Sequence, residues 1–448
     1  MDKNFVKVYL TSKDSEDRIT IMKDGAFTAE SGKERKNIIN VYSDIEYQKF
    51  MGFGGAFTES AADTFYKMQP EKQTEILKAY FDKDSGNGYT FCRTHMNSCD
   101  FSINNYSCDD MADDVTLEHF NIERDLKQLI PMIKAAMKFG EFKLFLSPWS
   151  PPSWMKSNGR MNEGGKLLAR YKKVWADFYA KFIKSYSAEG IKFWGLTVQN
   201  EPMATQTWDS CVYSANEEVD FVKNYLSPSL ISNGLNDIKI MIWDHNKDKL
   251  YDRVKTAFSD PEASKLIWGA GFHWYSGDHF EAIEAVHKKW PDKNLVFTEG
   301  CKENGPSFGE WDVGERYAHE IIGDLNNYTC AWCDWNLFLD MEGGPNHVSN
   351  FCDAPLIADA EHNHVIYEAS YWYIGHFSRF IKPNSVRICY TKSTDKLELT
   401  AFKNDDKLIA LVVMNKNDFS QDFTLRYKDN VCDLQIPQHS ILTCVFDE

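Results

Sequence analysis

The stretch Trp194-Gly195-Leu196-Thr197-Val198-Gln199-Asn200-Glu201-Pro202 constrains this chain more than any other. It begins as an apolar, β-prone run and breaks at Pro202. Proline cannot donate to a strand ladder, and it pushes the residue before it out of helical angles. Glu201 is therefore expected where a buried strand ends and a loop begins. Asn294-Leu295-Val296-Phe297-Thr298-Glu299-Gly300 has the same design and delivers Glu299 beside a glycine read as flexible. In a parallel α/β barrel, catalytic groups gather at the C-terminal rim of the strands. Two carboxyl groups on two strand ends of one barrel suit glycoside hydrolysis.

The chain around these stretches alternates strand and helix. Eight runs read as strands: Phe50–Gly54, Thr90–Met96, Lys143–Leu146, Phe193–Val198, Ile238–Trp243, Ile267–His273, Leu295–Thr298 and Ala331–Trp335. Between them lie helical patterns. The clearest is Leu167–Tyr186, with apolar residues every three to four positions and Gly190 to stop it. Ser214-x-x-Glu217 reads as a capping box, and 367–381 as a closing helix. This rhythm predicts a (β/α)8 barrel over 46–382. The alternative, an open doubly wound sheet, lacks support because Gly52-Phe53-Gly54-Gly55 does not have the spacing of a phosphate-binding loop. Residues 1–45 and 383–448 carry short alternating runs between turn residues. They are expected to form one discontinuous antiparallel β-sandwich side domain.

Composition narrows the function. The 448 residues are 43% hydrophobic, enough for a large core, and carry a net charge of −16. That charge argues against nucleic acid and anionic membranes as partners. No apolar run reaches the roughly 18 residues of a membrane-spanning helix. The N-terminus has no signal-peptide pattern, so a cytoplasmic location is expected, or a secreted one if a signal has been removed. The 11 cysteines read as reduced, mostly buried thiols rather than a disulfide framework. Cys330-x-x-Cys333 is a lone pair and His362-x-His364 lacks a third ligand, so neither metal nor cofactor is expected.

Chemistry-bearing residues cluster at the strand ends. They include Arg93 and His95 at the end of the second strand and Asp100 in the loop after it, Trp149 after the third, and Asn200 and Glu201 after the fourth. His273 and Tyr275 end the sixth, Glu299 the seventh and Trp335 the eighth, with Asn350 in the loop beyond. Such an end forms a concave, sugar-sized pocket. Glycoside hydrolysis needs one carboxyl group protonated and one ionised. A separation of about 5–5.5 Å retains anomeric configuration, and about 6.5–9.5 Å inverts it.

The ordered motifs Gly52-Phe53-Gly54-Gly55-Ala56-Phe57-Thr58, Ser98-Cys99-Asp100-Phe101-Ser102-Ile103, Ser147-Pro148-Trp149, Trp194–Pro202, His273-Trp274-Tyr275, Thr298-Glu299-Gly300-Cys301, Asp334-Trp335-Asn336 and Gly343-Gly344-Pro345-Asn346 closely resemble glycoside hydrolase family 30, in particular its glucosylceramidase branch. The resemblance implies a retaining mechanism with Glu201 as acid/base and Glu299 as nucleophile. It implies that Asn200 binds the sugar 2-hydroxyl and Glu299, and that Asp100, Trp149, Trp335 and Asn350 bind the rest of the sugar. Arg93, His273 and Tyr275 would support Glu299. Two departures stand out: His95 where the branch has proline, and T-E-G-C where it has S-E-A-C. The expected activity is that of an exo-acting retaining β-glucosidase on a small-molecule β-glycoside. The alternatives are a β-xylosidase, a β-fucosidase, an endo-β-1,6-glucanase or a non-catalytic carbohydrate-binding barrel.

Overall fold

The computed structural model describes residues 5–32 and 34–448. Eight parallel strands close into a barrel: β1 (Phe53–Phe57), β2 (Phe91–Met96), β3 (Lys143–Pro148), β4 (Phe193–Thr197), β5 (Lys239–Asn246), β6 (Gly269–His273), β7 (Asn294–Glu299) and β8 (Thr329–Asn336). Each pairs with its neighbours in chain order, and β8 returns to β1. Every residue of β1, β2, β6 and β8 is buried. Burial on both faces is why these strands read as continuous rather than alternating runs. Phe91, Phe145, Met241, Val296 and Cys333 form one small cluster from five different strands. They pack the barrel as a core rather than leaving a pore.

Strand β1 begins three residues later than the sequence predicts. Phe50 belongs to the side domain's edge: its N–H donates to Ser385 O (2.8 Å), and Asn384 N donates back to Phe50 O (2.7 Å). Gly52, at φ 143°, then turns the chain into the barrel. The long helix starts at Lys172 rather than Leu167, because Leu167 bridges to Lys156 and a 3-10 turn covers Ala169–Tyr171. Gly190, at φ 83°, ends it as expected. The capping box at Ser214 and Glu217 is formed in both directions.

The side domain is one hydrogen-bonded sheet of eleven strands drawn from both ends of the chain. Phe5–Ser12 pairs with Ser440–Asp447, and Ile38–Lys49 pairs with Val386–Lys392 and Gln421–Tyr427. Val6 and Leu10 from one end of the strand order share a core with Phe423 and Leu425 from the other. The sheet is therefore folded on itself as a sandwich. A small three-stranded sheet, Phe338–Asp340, Leu356–Asp359 and His364–Tyr367, was not foreseen. It anchors the loop after β8 over the barrel mouth.

Candidate active site

The site is built on the C-terminal ends of the strands. Glu299 closes β7, and Arg93 and His273 lie within β2 and β6. Glu201 sits further out than predicted: β4 ends at Thr197, and Val198-Gln199-Asn200 continue the path. Glu201 has a left-handed backbone, φ 46°, and its N–H donates to Asp244 O (2.9 Å). Facing it, Trp243 (φ 73°) and Asp244 (φ 53°) form a bulge in β5. Three non-glycine residues with positive φ in one place are strained. The strain aims Glu201 inward and turns Asp244 under the site.

Arg93 is the hub. It is fully buried and all its N–H groups point at acceptors. Nε donates to Ser147 Oγ (2.9 Å) and Nη1 to Glu299 Oε2 (2.6 Å). Nη2 donates to Asp244 Oδ2 (2.7 Å) and Asn200 Oδ1 (2.9 Å). Its guanidinium lies 4.7 Å from the Trp149 ring centroid. A rigid fork of donors suits a guanidinium and not an ammonium. Arg93 thus links Asn200 to Glu299. Tyr275 donates its hydroxyl to Glu299 Oε1 (3.0 Å).

His273 is fully buried between three carboxylates. Nε2 lies 3.0 Å from Asp244 Oδ1, while Nδ1 lies 3.2 Å from Glu201 Oε1 and 3.9 Å from Glu299 Oε1. Burial opposes its charge, but Glu299, Asp244 and Glu201 outweigh burial and raise it to about 9. Asp244 is held below the usual carboxylate range: burial raises it, and Arg93 and His273 more than reverse this. One oxygen of Glu201 and one of Glu299 lie within 4.8 Å of each other, so the two carboxyl groups titrate as a pair. Burial and the neighbouring Glu201 push Glu299 up against the pull of His273 and Arg93, and against burial the His273 hydrogen bond and His245 draw Glu201 down. The direct contacts of the two carboxyl groups differ. Glu299 accepts from a guanidinium at 2.6 Å and a phenol at 3.0 Å, against one imidazole at 3.2 Å for Glu201. Glu299 thus has the closer hydrogen-bond donors, while His273 and, at 3.8 Å, His245 favour charge on Glu201.

Across the pocket, Trp149 and Trp335 stack at 5.1 Å and 22°. Trp335 N donates to Gly300 O (3.0 Å), tying that wall to the Glu299 loop. Asp100 is buried and accepts from Asn350 Nδ2 (3.0 Å). Asn350 is in turn held by Asn346, whose Oδ1 accepts from Asn350 N (3.1 Å). Glu201, Glu299, Asn200, Asp100, Asn350, Tyr275, Trp149 and Trp335 all line one pocket, which encloses about 620 Å³ including its mouth.

Sequence reasoning missed Asp244 and His245, because β5 was given no site residue. The polar run Asp244-His245-Asn246 at its end was the available signal. It also misread Gly300: its φ is not positive, and the residue is small because a Cβ there would meet Phe297 Cζ at 2.5 Å and Trp274 Cε2 at 2.8 Å. His95 has a structural task, accepting from Glu59 N (3.0 Å) at a helix start, with Nδ1 2.6 Å from Asn97 O. Among the described residues, one cluster, Glu201, His273 and Glu299, brings donor atoms close enough for a metal. The His273 proton and its carboxylate partners already occupy that cluster. His362 lies on the surface, paired with Asp359 (2.8 Å). Among the described residues, no helix is long and apolar enough to cross a membrane.

The chain is similar to known proteins along its whole length. Residues 50–381 match the glycosyl hydrolase family 30 TIM-barrel domain, and 384–444 match that family's beta sandwich domain. The chain is 34% identical over 414 residues to lysosomal acid glucosylceramidase of Mus musculus, covering 88% of this chain and 79% of that protein. Its fold is similar to the crystal structure of SrfJ from Salmonella typhimurium, with TM-score 0.96, 35% identity, and 99% and 100% of the two chains covered. It is also similar to the endo-beta1,6-glucanase BT3312, with TM-score 0.88, 26% identity and 99% of each chain covered.

Proposed function

The chain belongs to glycoside hydrolase family 30 and is a glycoside hydrolase; from that premise we propose that it is an exo-acting, retaining β-glucosidase of the glucosylceramidase type. One observation carries the reading: oxygens of Glu201 and Glu299 lie within 4.8 Å. That closeness fits the shorter carboxyl separation of retaining enzymes rather than the longer one of inverting enzymes. Glu299, ionised by Arg93 and Tyr275, attacks the anomeric carbon. Glu201 gives its proton to the departing oxygen, and a glycosyl ester forms on Glu299. Glu201, now ionised, takes a proton from water, which attacks the same carbon and releases the sugar with configuration retained. The His273 cation alongside supports the Glu201 carboxylate in this second step.

Asp100 and Asn350 line the pocket with the two carboxyl groups; as partners for distal sugar hydroxyls they would favour glucose over xylose. The similarity to an endo-β-1,6-glucanase along the whole chain favours that activity as a second reading. Rates on p-nitrophenyl β-glucoside, β-xyloside and β-fucoside, and on β-1,6-linked gluco-oligosaccharides, test both. The proposal expects the aryl glucoside to be turned over best, with the rate falling at least about a thousandfold in Glu299→Gln. Mid-chain cleavage of the oligosaccharides with a negligible rate on the aryl glucoside would replace it by the endo reading.

A further inference from the structure

Two cysteines share the wall of the catalytic pocket. Cys301 lies two residues beyond Glu299, and Cys352 lies two residues beyond Asn350. Both line the same cavity as the two carboxyl groups, and both belong to the cluster containing Trp149 and Trp335. Their backbones are tied together. Glu303 and Cys352 form a β-bridge, and Asp353 N donates to Lys302 O (2.8 Å). Cys352 Sγ lies 3.8 Å from Asn350 O, at the same wall. Cys301 Sγ also lies 3.5 Å from the Tyr275 hydroxyl that donates to Glu299.

We propose that Cys301 and Cys352 form a dithiol site for soft, thiol-binding metal or metalloid species, and that capture there closes the sugar pocket. Paired sulfur donors select soft ions over hard ones. Adjacent thiols can both bond to one such centre, and the pocket supplies the entry path. With a trivalent arsenical R–As=O, the two S–H bonds and the As=O bond break. Two As–S bonds form, and the thiol protons leave with the oxygen as water, without any change of oxidation state. The Cys352 thiol, with burial, holds Cys301 protonated well above its ordinary range. That slows oxidation by peroxide, which requires a thiolate, whereas metal or metalloid binding displaces the proton as the bond forms. The captured atom would occupy the wall beside Asp100, Asn350 and Glu299 and draw Cys301 away from Tyr275.

The site itself does not depend on the proposed glucosidase reading, although the consequence for activity does. The full chain is treated with phenylarsine oxide at one equivalent, and bound arsenical is read by intact mass with peptide mapping. Aryl glucoside hydrolysis is measured in parallel. The expected result is one phenylarsenic group bridging the Cys301 and Cys352 peptides. It should be released by 2,3-dimercaptopropanol but not by the same thiol concentration of 2-mercaptoethanol, and it should be absent from both Cys352→Ser and Cys352→Ala. Turnover should fall at least about tenfold in proportion to the adduct and recover on release. No adduct on the wild type, or an adduct that persists in the Cys352 variants, overturns the site. An adduct that leaves a measurable hydrolysis rate unchanged overturns the closure. A protein that binds the arsenical as expected but hydrolyses no aryl glucoside even untreated counts against the glucosidase reading alone.

Discussion

Arg93 carries more of the site than either carboxylate does alone. It is a fully buried cation facing two buried carboxylates at 2.6 and 2.7 Å. Such pairs gain little over an apolar core but are costly to break, about 3–5 kcal/mol when one partner is removed. Arg93→Lys keeps the charge but loses the fork, so one ammonium cannot serve Ser147, Glu299, Asp244 and Asn200 together. We predict a kcat lower by at least about a hundredfold and a melting temperature reduced by several degrees. A variant with near wild-type kcat would show that Glu299 does not need this guanidinium. The sequence identified Arg93, His273 and Tyr275 as supporting groups through their strand-end positions. The polar run at the end of β5 hinted at Asp244, but its position under the site depends on two consecutive left-handed residues, Trp243 and Asp244, that no glycine announces.

At the scale of elements, the barrel depends on close backbone approach. A Cβ on Gly54 would lie 1.7 Å from Phe91 O, so β1 and β2 could not keep their spacing. Gly190, by contrast, has open space around it and only its φ of 83° to defend. Gly54→Ala should destabilise by at least about 3 kcal/mol, and Gly190→Ala by about 1–2 kcal/mol. Urea unfolding of both variants checks the contrast, and equal costs would contradict it. The strand–helix rhythm was legible because buried strands and amphipathic helices leave different periods in the sequence. The start of β1 was not, since Phe50 looks equally apolar whether it pairs with Ser385 or with the barrel. The three-stranded sheet around Leu356–Asp359 was also not legible, its strands being too short to show a period.

At the scale of the molecule, barrel and side sheet meet through buried polar contacts. His376, on the barrel's last helix Ala369–Ser378, is fully buried with Nδ1 2.8 Å from Thr443 Oγ1 and Nε2 2.9 Å from Thr11 Oγ1. Burial, aided by Arg379, lowers it to about 3. The unfolded chain titrates this histidine near 6.5. Below that pH the unfolded state binds a proton that the folded state refuses, so stability falls from pH 6.5 toward 3 by up to about 1.4 kcal/mol per pH unit. Denaturation midpoints between pH 7 and 4 should decline less steeply in His376→Gln than in the wild type. Parallel declines would show that His376 plays no part in the acid sensitivity.

The most direct test of the account is to trap the glycosyl-enzyme. The protein is incubated with 2-deoxy-2-fluoro-β-D-glucosyl fluoride and mapped by peptide mass. The account predicts one fluoroglucosyl group esterified to Glu299, with activity lost in step with labelling. A label on Glu201, or product released with inverted configuration and no label, would contradict it.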